Sequence, residues 1–259
     1  MKNIKVIVAT HKKYPMPKDD MYLPLEVGVD MHGKQTGYQS DNTGSNISRK
    51  NAGFCELTGL YWAWKNLDAD YIGLVHYRRH FASRLFNANK QKNILNSTKA
   101  NLLLEKCPVI LPKKRHYFIE NLYSHYSHTM YIEPLDEAGK IILEKFPEYY
   151  KQFQLLKHRT SAHMFNMFIM RRDLLDGYCK WLFSILFELE QRIGPVQYSQ
   201  FHARFYGRIS ELLLDVYLNT NGLEYLENRI TSTEMVNWPR KIYAFLAAKF
   251  KGVKYEKSF

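Results

Sequence analysis

Two stretches of this chain are apolar at nearly every position over lengths that suit strands: "IKVIVAT" at residues 4–10 and "YIGLV" at residues 71–75. A strand with one wet face alternates, so a run this continuous asks for cover on both faces, as in a parallel sheet sandwiched between helices. Each run ends abruptly. The first stops at "HKKYPMP", whose two prolines prevent continuation as helix or central strand; the second stops at "HYRRHF", a knot of cationic and aromatic side chains.

The remaining segments fit around such strands. A weaker strand, "YLPLEVGVD", leads into "QTGYQSDNTGSNIS", rich in Gly, Ser and Asn, which reads as a long functional loop. A helix follows, with Phe54, Leu57, Tyr61 and Trp64 at helical spacing and Ser48 or Asn51 as its N-cap. Further on, "PVIL" predicts a strand, and residues 135–146 and 147–156 predict two helices, Pro147 opening the second. "SAHMFNMFIMRR" reads as one strand, Asp173 to Arg192 as a long helix and "RISELLLDVYL" as the last helix. The order predicts an α/β fold: one domain over residues 1–235, a mostly parallel central sheet flanked by helices, then a basic amphipathic tail over 236–259. Ligands of such sheets bind outside the carboxyl ends of the strands, where "HYRRHF" falls.

Charge narrows the ligand. Thirty-seven Lys and Arg against 25 Asp and Glu give +12, which attracts phosphates, acidic sugars or anionic lipid. No zinc spacing, RNA-recognition signature or basic heptad helix is present, so nucleic acid is not the expected partner. The absence of GxGxxG after a strand, GxxxxGK[ST], GxSxG and HExxH argues against dinucleotide oxidoreductases, P-loop NTPases, serine hydrolases and zinc proteases. Cys55, Cys107 and Cys179 lack metal-type spacing and the charged opening is no secretory signal, so reduced thiols in a cytoplasmic protein are expected.

Within that frame, Arg78 and Arg79 suit a diphosphate, because a guanidinium stays ionised and offers two parallel hydrogen bonds. Adjacent side chains at a strand end point different ways, so one of the two is free to be structural. His125 and His128, three apart, are either a metal pair or part of a solvated aromatic segment. Glu211 is placed in the first turn of the last helix, where it either complements the helix dipole or acts as a general base on a sugar hydroxyl. Asn166, an amide inside an apolar strand, is locked to backbone or faces a polar ligand, and His163 shares its surface.

The motifs "NTGSNISRKNAGFCELTGLYWAWKN", "DYIGLVHYRRHF", "HMFNMFIMRRDLLDGYCKWLF" and "YGRISELLLDVYL", in this order, resemble the bacterial capsular, exopolysaccharide and O-antigen glycosyltransferases long catalogued as a domain of unknown function. The resemblance implies a GT-A-like fold and transfer of a sugar from a nucleotide donor, UDP-galactofuranose first, to a lipid-linked glycan. It raises Glu211 to catalytic base. It places Thr10, His11, Asn46, Arg49, Lys50, Asn51, His76, Tyr77, Arg78 and Arg79 around the donor, and His163 and Asn166 near the acceptor. Ordinary GT-A enzymes end the corresponding strand in Asp-x-Asp, which holds Mn or Mg; here His76-Tyr77-Arg78-Arg79 stands instead, so no cofactor is firmly expected. The tail would bring the protein to the anionic inner face of the membrane. The competing expectation is a non-catalytic sugar-binding module of a polysaccharide assembly complex, which needs the cations but no base.

Overall fold

The computed structural model describes residues 2–83 and 90–234, with Ala247 and Lys249 beyond them. The expected tail therefore lies almost wholly outside the described residues. Strand β1 (Ile4–Thr10) sits mid-sheet, parallel to β2 (Tyr22–Glu26) on one side and to β4 (Tyr71–His76) on the other. The short β3 (Gln39–Ser40) extends the edge beyond β2. Beyond β4, the sheet continues through β9 (Phe168–Arg171), β6 (Val109–Pro112) and β10 (Leu226–Asn228). Strand β9 runs antiparallel to both neighbours, whereas β6 and β10 pair in parallel, so the sheet is mixed but mostly parallel, with β4, β1, β2 and β3 all in one direction. A side path carries β5 (Arg79–Phe81) from the end of β4 to β11 (Ile230–Ser232), and β7 (Arg115–His116) pairs with β8 (Ser161–Ala162) apart from the main sheet.

The unbroken apolar runs are explained by cover on both faces. Ile7 and Ala9 of β1, with Ile72 and Leu74 of β4, enter a core built with most of the helices. Val6, Val8, Tyr71 and Val75 enter a second core on the opposite face, closed by Leu95, Ala100 and Leu104. The period-two alternation thus feeds two cores instead of one core and solvent. Ala100 and Leu104 belong to α4 (Ser97–Lys106), whose N-cap Asn96 accepts from the Lys99 N–H. The larger face carries α3 (Leu57–Asn66), α5 (Leu122–Thr129), α6 (Glu133–Lys145), α7 (Pro147–His158), α8 (Arg172–Ile193) and α9 (Phe205–Thr220). The single-turn α1 (Val29–His32) and α2 (Asn51–Phe54) lie near the carboxyl ends of β1 and β4.

Three expected elements differ. The helix predicted from residue 48 or 51 onward is broken, because Cys55 takes a left-handed φ of 53° between α2 and α3. The predicted strand over 161–172 is interrupted at Phe165 and Asn166, with φ of 80° and 50°. The last helix begins at Phe205, so Glu211 lies in its second turn and not at its start. The long loop after β2 is pinned rather than open: buried Asp41 accepts from the Gly28 and Val29 N–H groups and from the hydroxyls of Ser48 and Thr58.

Candidate active site

The parallel strands β1 and β4 end side by side, and their last residues open into a cavity of about 870 Å³. Thr10, His11, His76, Tyr77, Arg78 and Arg79 line its sheet side, so the "HYRRHF" knot stands where the strand order predicts a ligand. Facing it is one side of α9. Arg204 at its N-cap and Arg208 and Glu211 on the helix recur at helical spacing and turn toward the cavity, while Leu213, Leu214 and Val216 enter the core.

The described residues with left-handed φ that are not glycine are Cys55, Phe165 and Asn166, and all three border this cavity or hold its side chains. Each such conformation costs on the order of 1–3 kcal/mol and persists only where its surroundings enforce it. The turn at 165–166 is a hub. Phe165 accepts from His76 Nε2 at 2.7 Å through its carbonyl and donates its N–H to the Glu211 carboxylate. Asn166 Nδ2 donates to Glu56 Oε1 at 2.7 Å and to the Gly207 carbonyl at 3.0 Å. Opposite it, the left-handed Cys55 ends α2 and sets Glu56 into the cavity, 3.8 Å from His76 Nε2.

The result is two carboxylates in one cleft with different electrostatics. Burial pushes the Glu211 carboxyl up and Glu56 adds to the rise, while Arg208, 3.4 Å away, only partly offsets it. Burial acts on Glu56 in the same sense, but His76 and the Asn166 amide outweigh it and hold that carboxyl below its ordinary value. Environments that drive paired carboxyls apart assign them different protonation tasks. Around them stand five arginines, Arg78, Arg79, Arg115, Arg204 and Arg208, which outnumber the two carboxylates and leave the cleft cationic.

Arg78 and Arg79 divide as adjacent side chains should. Arg78 pairs with Glu234 at 3.3 Å, whereas Arg79 makes no ion pair among the described residues and lies 4.5 Å over the Phe165 ring. Burial and the neighbouring Arg78 lower the Arg79 pKa, the mark of a cation held without its counter-charge. Tyr77 packs edge-on against His11 at 5.5 Å. His80 leaves the site altogether, buried against Tyr22 in the second core.

Other expected site residues are placed elsewhere. Asn51 lines the cavity, but its amide donates to the Cys55 carbonyl and Thr58 hydroxyl, and it fills the space beside Gly28, whose φ of 79° and closeness to Asn51 leave no room for a Cβ. Asn46, Arg49 and Lys50 do not line it: Asn46 caps its own loop, Arg49 faces Asp30 from an 89% exposed position, and Lys50 is paired with Glu190. His163 is fully buried between Asp215, 2.5 Å from Nδ1, and Glu227, 3.1 Å from Nε2, so it has no face for an acceptor. Asn166 reaches the site only through Glu56. His125 does line the cavity wall, and it shares the buried Glu120 carboxylate with His128 through hydrogen bonds of 2.6 and 2.9 Å; burial lowers the His125 pKa to about 4, which leaves that imidazole neutral.

Glu56, Arg115, Arg204 and Arg208 were not singled out by sequence. No three His, Cys, Asp or Glu side chains converge as cation ligands among the described residues. The strand end that holds a metal in ordinary GT-A enzymes offers guanidinium groups here, a donor set that does not fit a divalent ion.

The strand ends of this α/β sheet thus carry one cleft that is cationic overall and holds two carboxylates. Residues 5–222 match the family described as "Domain of unknown function (DUF4422)", and the chain belongs to that family. Among solved structures it is similar to the apo structure of the WbbM bifunctional glycosyltransferase, with 30% identity and a TM-score of 0.84 over 90% of this chain. The match covers 46% of that protein, so this chain spans about half its length. No curated protein matches the chain.

Proposed function

We propose that this protein is a nucleotide-sugar-dependent hexosyltransferase acting in capsule, exopolysaccharide or O-antigen synthesis. The observation that carries the reading is the pairing of Glu211, its carboxyl raised, with ionised Glu56 inside a cleft lined by five arginines. A purely sugar-binding module has no use for a buried carboxylate tuned toward neutral pH, whereas a general base works best when its pKa lies near the operating pH.

In this mechanism Arg79, with Arg78 beside it, grips the donor diphosphate. The acceptor hydroxyl attacks the anomeric carbon as its proton passes to Glu211; the new glycosidic bond forms, the bond from carbon to diphosphate oxygen breaks, and the nucleoside diphosphate leaves with the electron pair. The guanidinium groups stabilise that developing charge in the role a metal plays elsewhere, so transfer proceeds with EDTA present. Direct displacement of this kind inverts the anomeric centre. His11 and Thr10 flank the nucleoside.

The similarity to a glycosyltransferase and the phosphate-suited cleft support a nucleotide-sugar donor; UDP-galactofuranose, the donor implied by the family resemblance of the sequence motifs, is the first to test, with a lipid-linked glycan at the inner face of the membrane as acceptor. No helix among the described residues is long and apolar enough to cross a bilayer. The deciding experiment offers UDP-galactofuranose and other UDP-hexoses to the protein with a glycan acceptor in EDTA. Formation of glycosylated product supports the reading. Donor binding without product from any sugar nucleotide returns the binding-module reading, and restoration by Mn²⁺ or Mg²⁺ alone removes the arginine mechanism.

A further inference from the structure

The tight turn between β7 and α5 is built in a way its packing does not explain. Glu120 donates its N–H to the Tyr117 carbonyl at 3.2 Å, closing a turn whose two tip residues are Phe118 and Ile119. Phe118 is 90% exposed and Ile119 49%. Loop tips are ordinarily polar, and a large apolar pair at one invites an explanation outside the monomer.

The flanks make the tip rigid. Tyr117 is buried and donates its N–H to the Thr160 carbonyl; Glu120 is buried with one carboxylate oxygen on each of His125 and His128; Leu122 donates to the Arg159 carbonyl. The one acidic side chain of the turn is thereby withdrawn from the surface. What remains at the surface is basic: Lys113 and His116 are exposed, with half-buried Lys114 and Arg115 between them, and the His116 ring is 6.0 Å from that of Phe118. Lys249, from the carboxyl-terminal segment, donates to the Ile119 carbonyl and adds a cation to the same place. Arg115 and Tyr117 also line the catalytic cavity, so the turn stands at its mouth.

We propose that the Phe118–Ile119 tip is a membrane-insertion point, which seats the cavity mouth on an anionic lipid surface with the Lys113–His116 run and Lys249 against the headgroups. Apolar residues entering the interface beside several cations are the combination that holds peripheral proteins on anionic bilayers, and a neutral partner surface would have no use for the cations. The inference rests on the glycosyltransferase reading for the purpose of the contact, a lipid-linked acceptor, but its measurement needs neither donor nor acceptor.

The full chain is sedimented with vesicles of phosphatidylcholine alone or with phosphatidylglycerol. Binding is expected on the anionic vesicles, weakening as salt rises, and the double variant Phe118→Ser, Ile119→Ser is expected to lower it roughly tenfold. In Phe118→Trp, lipids brominated on their acyl chains should quench emission beyond the loss seen for the parent's own tryptophans. Neither tip residue lines the cavity, so transfer to a water-soluble acceptor should be unchanged in the double variant. Equal vesicle binding by parent and double variant overturns the proposal, as does vesicle-bound Phe118→Trp protein that is quenched no more than the parent. So does a dimer that light scattering shows to depend on the tip. Intact vesicle binding by a protein with no transfer activity would instead count only against the enzymatic reading.

Discussion

Glu211 and Asp215 stand one turn apart on α9, both nearly buried, and they do opposite things. Asp215 is saturated: one oxygen accepts from His163 Nδ1 and the other from the His163 backbone N–H, with Glu227 closing the far side of the ring. Glu211 is left incompletely paired, with Arg208 at a long 3.4 Å, a backbone N–H from Phe165 and another carboxylate nearby. A buried charge whose partners all belong to the fold holds the fold together; one with valence to spare, beside a cavity, is available to a ligand. The same contrast separates His163 from His76, which is one-fifth exposed in the cavity lining.

The largest expected effect breaks the comparison at Glu211. Glu211→Gln preserves shape and should leave the unfolding midpoint near that of the parent while transfer falls by about 10²–10⁴, the usual loss with a general base. Turnover within a few fold of the parent would remove Glu211 from the mechanism. Asp215→Asn should do the reverse. It replaces one of the two oxygens that accept from the His163 ring and backbone N–H by an amide NH₂, leaving a buried donor without its acceptor at a cost of about 1–3 kcal/mol in chemical denaturation, while donor KM for the protein that remains folded stays unchanged. A stable, inactive Asp215→Asn would place His163 in the site after all.

The sequence made one half of this contrast visible and hid the other. The strands β1 and β4 were legible because unbroken apolar runs have few alternatives, and the Arg78–Arg79 pair because two guanidinium groups at a strand end have few structural uses. Glu56 was hidden inside what reads as a continuous helix, since nothing in "GFCELTG" announces that Cys55 adopts φ of 53°. The turn at Phe165–Asn166 was hidden likewise, because methionine and phenylalanine favour a strand locally and only tertiary contacts with His76, Glu56 and Gly207 override them. His163 is buried between Asp215 and Glu227 and not on the surface of Asn166, because proximity in sequence says nothing about which side of the sheet end each side chain takes. Arg204 and Arg208 did leave a signal: with Glu211 they form a charged stripe at i, i+4 and i+7 along the N-cap and first turns of a largely apolar helix.

The two strand-end arginines offer a smaller test of the same principle. Arg79, without an ion-pair partner among the described residues, should matter for donor binding, and Arg78, paired with Glu234, should matter less. A charge-assisted hydrogen bond contributes about 1.5–3 kcal/mol, so Arg79→Lys, which keeps the charge and loses the fork, should raise donor KM by roughly 10- to 100-fold. Arg78→Lys should change it by only a few fold. Equal effects would mean that both forks hold the diphosphate and that the Glu234 pair opens on binding.

The subtlest effect lies in pH. Glu211 must be ionised to take a proton, so transfer should rise with pH through its elevated pKa and the acidic limb should lie above the ordinary carboxylate range. The groups facing it are Arg208 on its own helix, Arg204 just before that helix, Arg79, Glu56 and His76 across the cleft, and the Phe165 N–H. Of these, Glu56 is the anion that helps keep the pKa high. Glu56→Gln should therefore shift the acidic limb of kcat to lower pH, besides any loss from disturbing Asn166 and His76. Stability carries the same sign. A folded pKa raised above the unfolded one gives stability that is full below the unfolded value and is lost as pH rises through the folded one. Glu211→Gln never ionises, so its stability relative to the parent should climb with pH over that window. An acidic limb that stays in place in Glu56→Gln, or moves to higher pH, would show that the two carboxylates do not sense each other and that burial alone tunes Glu211.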